Sequence, residues 1–150
     1  MAVGDTNNDG FLDVVITHGL AAYGLLPGPH ELLQNGGNAN HWLQIRLVGQ
    51  QSNRLGIGAR VEIRLPDGHF QMREMNGGVH NYAQDEMIVS FGLANQTIVS
   101  QLTITWPSGT VQHLTNVASN QRLTIAETGE TGYKLHLPLI LNNKQATATD

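Results

Sequence analysis

The chain of 150 residues has no cysteine, which excludes a disulfide scaffold, a thiol nucleophile and any thiolate-held zinc or iron–sulfur centre. Charge is also scarce, at 13% of residues against 40% hydrophobic, so disorder driven by self-repulsion is excluded. The eight Lys and Arg side chains form no basic tract, and nucleic acid is excluded as a partner on that ground. No apolar run approaches the ~18 residues of a membrane span. The opening Met1-Ala2-Val3-Gly4-Asp5 has neither the basic nor the apolar region of a signal peptide. The seven histidines include no HExxH pair, and Ser108 lies in no GxSxG elbow, so neither a zinc-hydrolase nor an esterase motif is present.

The charge that exists is uneven. Residues 1–40 hold Asp5, Asp9, Asp13 and Glu31 with no Lys or Arg, whereas residues 41–150 balance eight acidic against eight basic side chains. The net charge of −4 therefore belongs to the first quarter of the chain. Such a local excess of carboxylates calls for a cation.

The remainder reads as β-structure. Leu43, Ile45 and Leu47 alternate with Gln44 and Arg46. Val61, Ile63 and Leu65 alternate with Arg60, Glu62 and Arg64, and Leu102, Ile104 and Trp106 with Gln101, Thr103 and Thr105. Met87, Val89 and Phe91, then Leu123 and Ile125, then Tyr133, Leu135, Leu137, Leu139 and Leu141 continue the pattern. A period of two is that of half-buried strands, and no stretch sustains a helical stripe. Pro66-Asp67-Gly68 and Pro107-Ser108-Gly109 have the composition of tight turns, which predicts hairpins joining 59–65 to 69–75 and 98–106 to 110–114. Gly56 and Gly58 suit a tight turn that admits Ala59–Leu65 to a sheet. Pro138 marks the last run as an edge. Residues 20–39, broken by Gly24, Pro27, Gly28 and Pro29, read as a loop or linker.

Asp5-Thr6-Asn7-Asn8-Asp9-Gly10-Phe11-Leu12-Asp13 places oxygen side chains at positions 1, 3, 5 and 9 of a loop, with glycine at 6. A hard cation such as Ca²⁺ takes six to eight oxygens, and alternate residues of a tight loop can turn inward together. Asp5, Asn7, Asp9, the Phe11 carbonyl and Asp13 are the candidate ligands. The helical version of this loop has a bidentate Glu at position 12, where Ile16 stands here. Val14-Val15-Ile16 is strand-like, so the flanking elements are strands, and the affinity expected is at the weak end, on the order of 10⁻⁴–10⁻³ M.

Val3 to Thr17 resembles the calcium-loop half of an FG-GAP (VCBS-type) repeat, the blade unit of integrin-like β-propellers. Asn40-His41-Trp42-Leu43-Gln44-Ile45-Arg46-Leu47-Val48-Gly49, Ser52 to Val61, Phe91-Gly92-Leu93, Trp106-Pro107-Ser108-Gly109 and Leu123-Thr124-Ile125-Ala126-Glu127 resemble the ASPIC/UnbV domain, which commonly trails such repeats in secreted proteins. A propeller needs several four-stranded blades, and this chain holds part of one. The resemblance thus implies a C-terminal piece of a larger protein, with upstream propeller blades as partners, or a gene start inside the last repeat.

The sequence predicts an all-β fold: an antiparallel β-sandwich over residues 39–141, preceded in 1–38 by a short calcium-loop β-hairpin (a partial blade) and followed by a flexible tail, 142–150. The expected function is that of a non-catalytic, extracellular or cell-surface calcium-binding adhesion module whose partner is an extracellular protein or glycan. One alternative is a carbohydrate-binding sandwich using Trp42, which is out of phase with the inward residues of its strand, or Tyr82. The other is an accessory domain of a biosynthetic or hydrolytic enzyme, with Glu74, Asp85, Glu86 and Glu127 as the carboxylates to watch. Their ordinary reading is as solvated strand ends.

Overall fold

The computed structural model describes residues 1–18, 28–78 and 83–128. Ten strands run through them: β1 (Ala2–Gly4), β2 (Asp13–Ile16), β3 (Glu31–Leu33), β4 (His41–Val48), β5 (Arg60–Arg64), β6 (Phe70–Glu74), β7 (Val89–Ala94), β8 (Ile98–Thr105), β9 (Val111–Ala118) and β10 (Gln121–Ala126). They form three sheets, β1-β2-β3, β10-β4-β7 and β6-β5-β8-β9. The described residues contain no helix. The predicted Tyr133–Leu141 run and the 142–150 tail lie outside the described residues.

The second and third sheets bury one continuous core. Leu43, Ile45, Leu47, Phe91, Leu93, Leu123 and Ile125 meet Val61, Ile63, Val99, Leu102, Ile104 and Val117, with Trp106 closing one end at 2% exposure. The alternation read from the sequence is the alternation observed. Arg60 and Arg64 stay exposed while Val61 and Ile63 have no exposed surface. Both predicted hairpins form, β5 with β6 and β8 with β9. Gly68 and Gly109 sit at φ +88° and +92°, where a side chain would be strained. Gly56, at φ +66°, also lies against Leu47, where a Cβ would come within 2.8 Å of the Leu47 Cβ.

Two features depart from the sequence reading. Residues 31–33, placed in a loop, form β3 and add a third strand to the β1–β2 hairpin, with Val14 opposite Leu33. Three residues are too few to carry a period, and only the partner strand defines them. The sandwich also has one parallel pair, β10 beside β4, among otherwise antiparallel ladders. The cause lies in the corner at residues 119–120, where the chain leaves β9 for the opposite sheet. Asn120 takes a left-handed φ of +56°, donates its backbone N–H to the Trp42 carbonyl at 2.7 Å and accepts the Trp42 N–H at 3.3 Å. Pinned at the first residues of β4, the chain can only proceed in the same direction.

Phe91 is 1% exposed between the sheets and Phe70 is 50% exposed on the edge strand β6. Phe91→Ala is expected to lower stability by about 4 kcal/mol and Phe70→Ala by about 0.5 kcal/mol. Midpoints of urea denaturation measure both.

Candidate functional site

The acidic loop joins β1 to β2. Its turn needs two left-handed residues, Asn8 at φ +60° and Gly10 at φ +95°. Inside it, the Asp9 N–H reaches both Asp5 Oδ1 at 3.1 Å and Asn7 Oδ1 at 3.2 Å, so the oxygens of positions 1 and 3 lie on one N–H. Asn7 Nδ2 donates to Asp9 Oδ2 at 2.8 Å, and the Phe11 N–H to Asp9 Oδ1 at 2.8 Å. Positions 1, 3 and 5 are thus gathered. Asp13 faces other donors: the Thr6 hydroxyl and N–H reach its Oδ2, and the Asn35 N–H its Oδ1. The Thr6 hydroxyl above all, then the N–H groups of Asn35 and Thr6, hold the Asp13 carboxyl below its usual range against the opposing effect of burial. Among the described residues no three Asp, Glu or His side chains converge into one metal-holding group, because the gathered oxygens include an amide and Asp13 is engaged by Thr6 and Asn35.

The loop is seated on the outer face of the β10-β4-β7 sheet. Gln44 points away from the core, as its parity requires, yet has no exposed surface. The cover is the loop: Gln44 Nε2 donates to Asp5 Oδ2 at 3.0 Å. Arg122 on β10 donates through Nε to Gln44 Oε1 at 2.8 Å and through Nη1 to Asn8 Oδ1 at 3.1 Å, and its Nη2 lies 3.4 Å from Asp5 Oδ2. Glu86 completes the circuit, accepting the Asp5 N–H at 2.9 Å and pairing with Arg122 at 3.3 Å. The Val3 N–H donates to Asp85 Oδ1 at 2.8 Å. Asp5 is 6% exposed. A carboxylate buried to that degree without such partners would cost several kcal/mol.

Trp42 lies half-buried on the same outer face, and a Cβ on Gly10 would come within 1.8 Å of its ring. Its ring meets the loop, a placement that lends no support to the glycan reading. Tyr82 lies outside the described residues. Glu74, Asp85 and Glu86 line one small cleft with Met75, Ile88 and Val89, of about 100 Å³. That is below the ~300 Å³ at which ligand pockets begin, and Asp85 and Glu86 already hold the backbone of Val3 and Asp5.

Glu127 is a correction. Expected as a solvated strand end, it has no exposed surface. Its carboxylate collects the N–H groups of Gln50, Gln51 and Ser52 at 2.7–2.9 Å, the Ser52 hydroxyl at 2.9 Å and the Ser108 hydroxyl. Burial would raise this carboxyl; the hydroxyl of Ser108 and the N–H groups of Ser52 and Gln50 outweigh it and bring it down to about 2. The residue ties the 49–53 loop and the Pro107-Ser108-Gly109 turn to the end of β10. Its sequence signal was its position straight after the inward pair Leu123 and Ile125, at inward parity.

Residues 49–132 match the family described as ASPIC and UnbV. The chain belongs to that family. It is 27% identical to human cartilage acidic protein 1 over 126 residues and 26% to the mouse protein, in each case over 83% of this chain and 18% of the relative. The Xenopus tropicalis protein is 27% identical over 111 residues, 73% of this chain and 16% of the relative. The ASPIC and UnbV chain thus spans less than a fifth of the length of these relatives.

Two outcomes follow from the geometry. Glu127 contributes stability in full above pH 4.5, and this is lost as pH falls toward 2, because its folded carboxyl is depressed from 4.5 to about 2. Glu127→Gln should flatten that acid limb in denaturation curves and lower stability at pH 7 by about 3 kcal/mol. Gly10→Ala should release the loop from Trp42, seen as a shift in tryptophan fluorescence with the sheet signal in circular dichroism retained.

Proposed function

We propose that this ASPIC and UnbV chain is a non-catalytic, extracellular or cell-surface interaction module whose amino-terminal loop binds Ca²⁺. In this reading residues 1–38 are part of an FG-GAP/VCBS-type repeat, residues 39–141 are the ASPIC/UnbV unit and 142–150 a tail. The observation that carries the reading is the loop itself. Its donor set is entirely oxygen, and Asp5 Oδ1 and Asn7 Oδ1 lie on a single N–H. Gly10 has the backbone conformation that a sharp chelating turn needs. Oxygen donors are the kind that a hard cation takes. Asp5, Asn7, Asp9 and the Phe11 carbonyl would hold it, with Asp13 closing the set directly or through water.

The ion's contribution is charge neutralisation. Asp5, Asp9 and Asp13 lie within nine residues of sequence, and a divalent cation removes their mutual repulsion. Since Asp5 is also bonded to Gln44 and Arg122, ordering the loop orders its seat on the sandwich. Similarity to cartilage acidic protein 1 supports an extracellular setting, and an extracellular protein is the partner that fits such a module. The small cleft, with two of its three carboxylates holding main-chain N–H groups, supports binding over catalysis.

Calorimetric titration with CaCl₂ should give one site with a dissociation constant of about 10⁻⁴–10⁻³ M. At tenfold excess over that constant the chain should gain about 1.4 kcal/mol, read as a rise of a few degrees in melting temperature over an EDTA control. Asp9→Asn should weaken the binding, and a flat titration of the unaltered chain at millimolar calcium removes the metal reading.

A further inference from the structure

We propose that Asn95, in the turn between β7 and β8, is a glycosylation site whose co-substrate is an oligosaccharide carried on a lipid pyrophosphate. The inference rests on the extracellular reading, because this modification belongs to the surface loops of secreted proteins. Asn95-Gln96-Thr97 has the acceptor pattern: an asparagine, a residue other than proline, then a hydroxyl side chain. No other asparagine of the chain is followed at that spacing by Ser or Thr.

Asn95 and Thr97 are both exposed, and the turn does not need their side chains. Ala94, at φ +50°, reverses the chain. The Gln96 N–H closes onto the Leu93 carbonyl at 2.9 Å, and the Thr97 carbonyl accepts the Ser119 N–H at 2.9 Å. Gln96 Nε2 donates to Asp67 Oδ2 at 3.0 Å, which ties the turn to the neighbouring β5–β6 hairpin. Other loop asparagines serve their own backbone. Asn35, Asn38 and Asn53 accept the N–H groups of Gly37, Asn40 and Ile57, and Asn116 and Asn120 supply a left-handed φ. Asn95 does neither. Its Oδ1 meets the Gln96 side chain at 3.5 Å, and among the described residues neither its Nδ2 nor the Thr97 hydroxyl has a partner.

In the transfer, Asn95 Nδ2 forms a bond to C1 of the first sugar while the bond from C1 to the pyrophosphate oxygen breaks. Nδ2 gives up one proton, the lipid pyrophosphate leaves, and nothing is oxidised or reduced. The folded chain must then have room for the product. A turn held by main-chain bonds and by its middle side chain, with Asn95 and Thr97 in solvent on either side of it, leaves that room. The acceptor amide and the hydroxyl that completes the pattern are both free.

The experiment is secretion of the full chain from cultured mammalian cells behind a cleavable leader, with intact-mass measurement before and after peptide N-glycosidase. The parent chain should carry one oligosaccharide, which the enzyme removes to leave aspartate at position 95. Asn95→Gln and Thr97→Ala should be secreted without it, and Thr97→Ser should keep it, because the hydroxyl is what the pattern requires. The melting temperatures of Asn95→Gln, Thr97→Ala and the enzyme-treated parent should coincide, since the turn stands without those side chains. A folded parent chain that reaches the medium unmodified overturns the inference and leaves the extracellular reading intact. So does an oligosaccharide that persists in Asn95→Gln. A parent chain that cannot fold and leave the cell by this route overturns both.

Discussion

The buried carboxylate of Asp5 is the constraint on which the molecule's organisation depends. With 6% of its surface exposed, it must have partners, and the loop around it offers only N–H groups of its own backbone. The remaining donors come from Gln44 and Arg122. Those two side chains stand on neighbouring strands of one sheet, in the register that sets Gln44 opposite Arg122. That register exists because β10 runs parallel to β4. The Asn120 corner, the parallel pair and the seat of the acidic loop are therefore one structural fact seen at three places.

A second carboxylate does comparable work at another site. Glu127 draws three consecutive N–H groups and two serine hydroxyls onto the end of β10, fixing the loop that carries the left-handed glycines Gly56 and Gly58. In both places a buried anion is satisfied by donors from distant segments, and in both the loss of the anion would leave several N–H groups without a partner. Hydrophobic burial gives the sandwich its stability, and these two anions decide how its loops and its amino-terminal sheet are attached.

What was legible in the sequence was local. The alternation of Leu43, Ile45 and Leu47, of Val61 and Ile63, and of Leu102, Ile104 and Trp106 gave the inner faces, and Pro66-Asp67-Gly68 and Pro107-Ser108-Gly109 gave two hairpins, because a period of two and turn chemistry act over a few residues. The family resemblance over the ASPIC/UnbV unit was legible on the same stretches. The parallel β10–β4 pair was not, since strand order depends on partners far along the chain. Neither was Gln44: its outward parity was read correctly, but parity cannot reveal that another part of the molecule covers that face. Trp42, out of phase with its neighbours, was read as a surface for a glycan, and its ring lies against Gly10 of the acidic loop. Glu127 was read as polar and hence solvated, and only the serine hydroxyls and main-chain donors around it explain its burial.

The central claim is that the acidic loop is an integral part of the sandwich. Amide hydrogen exchange in millimolar calcium tests it most directly, by comparing the Gly10 N–H, which donates to Asp5 Oδ2, with the amides of the buried strand residues Ile45 and Ile63. Equal protection of Gly10 and the core strands, both limited by global unfolding, is the result the account predicts. Exchange of Gly10 at the rate of an open chain while Ile45 and Ile63 stay protected would contradict it.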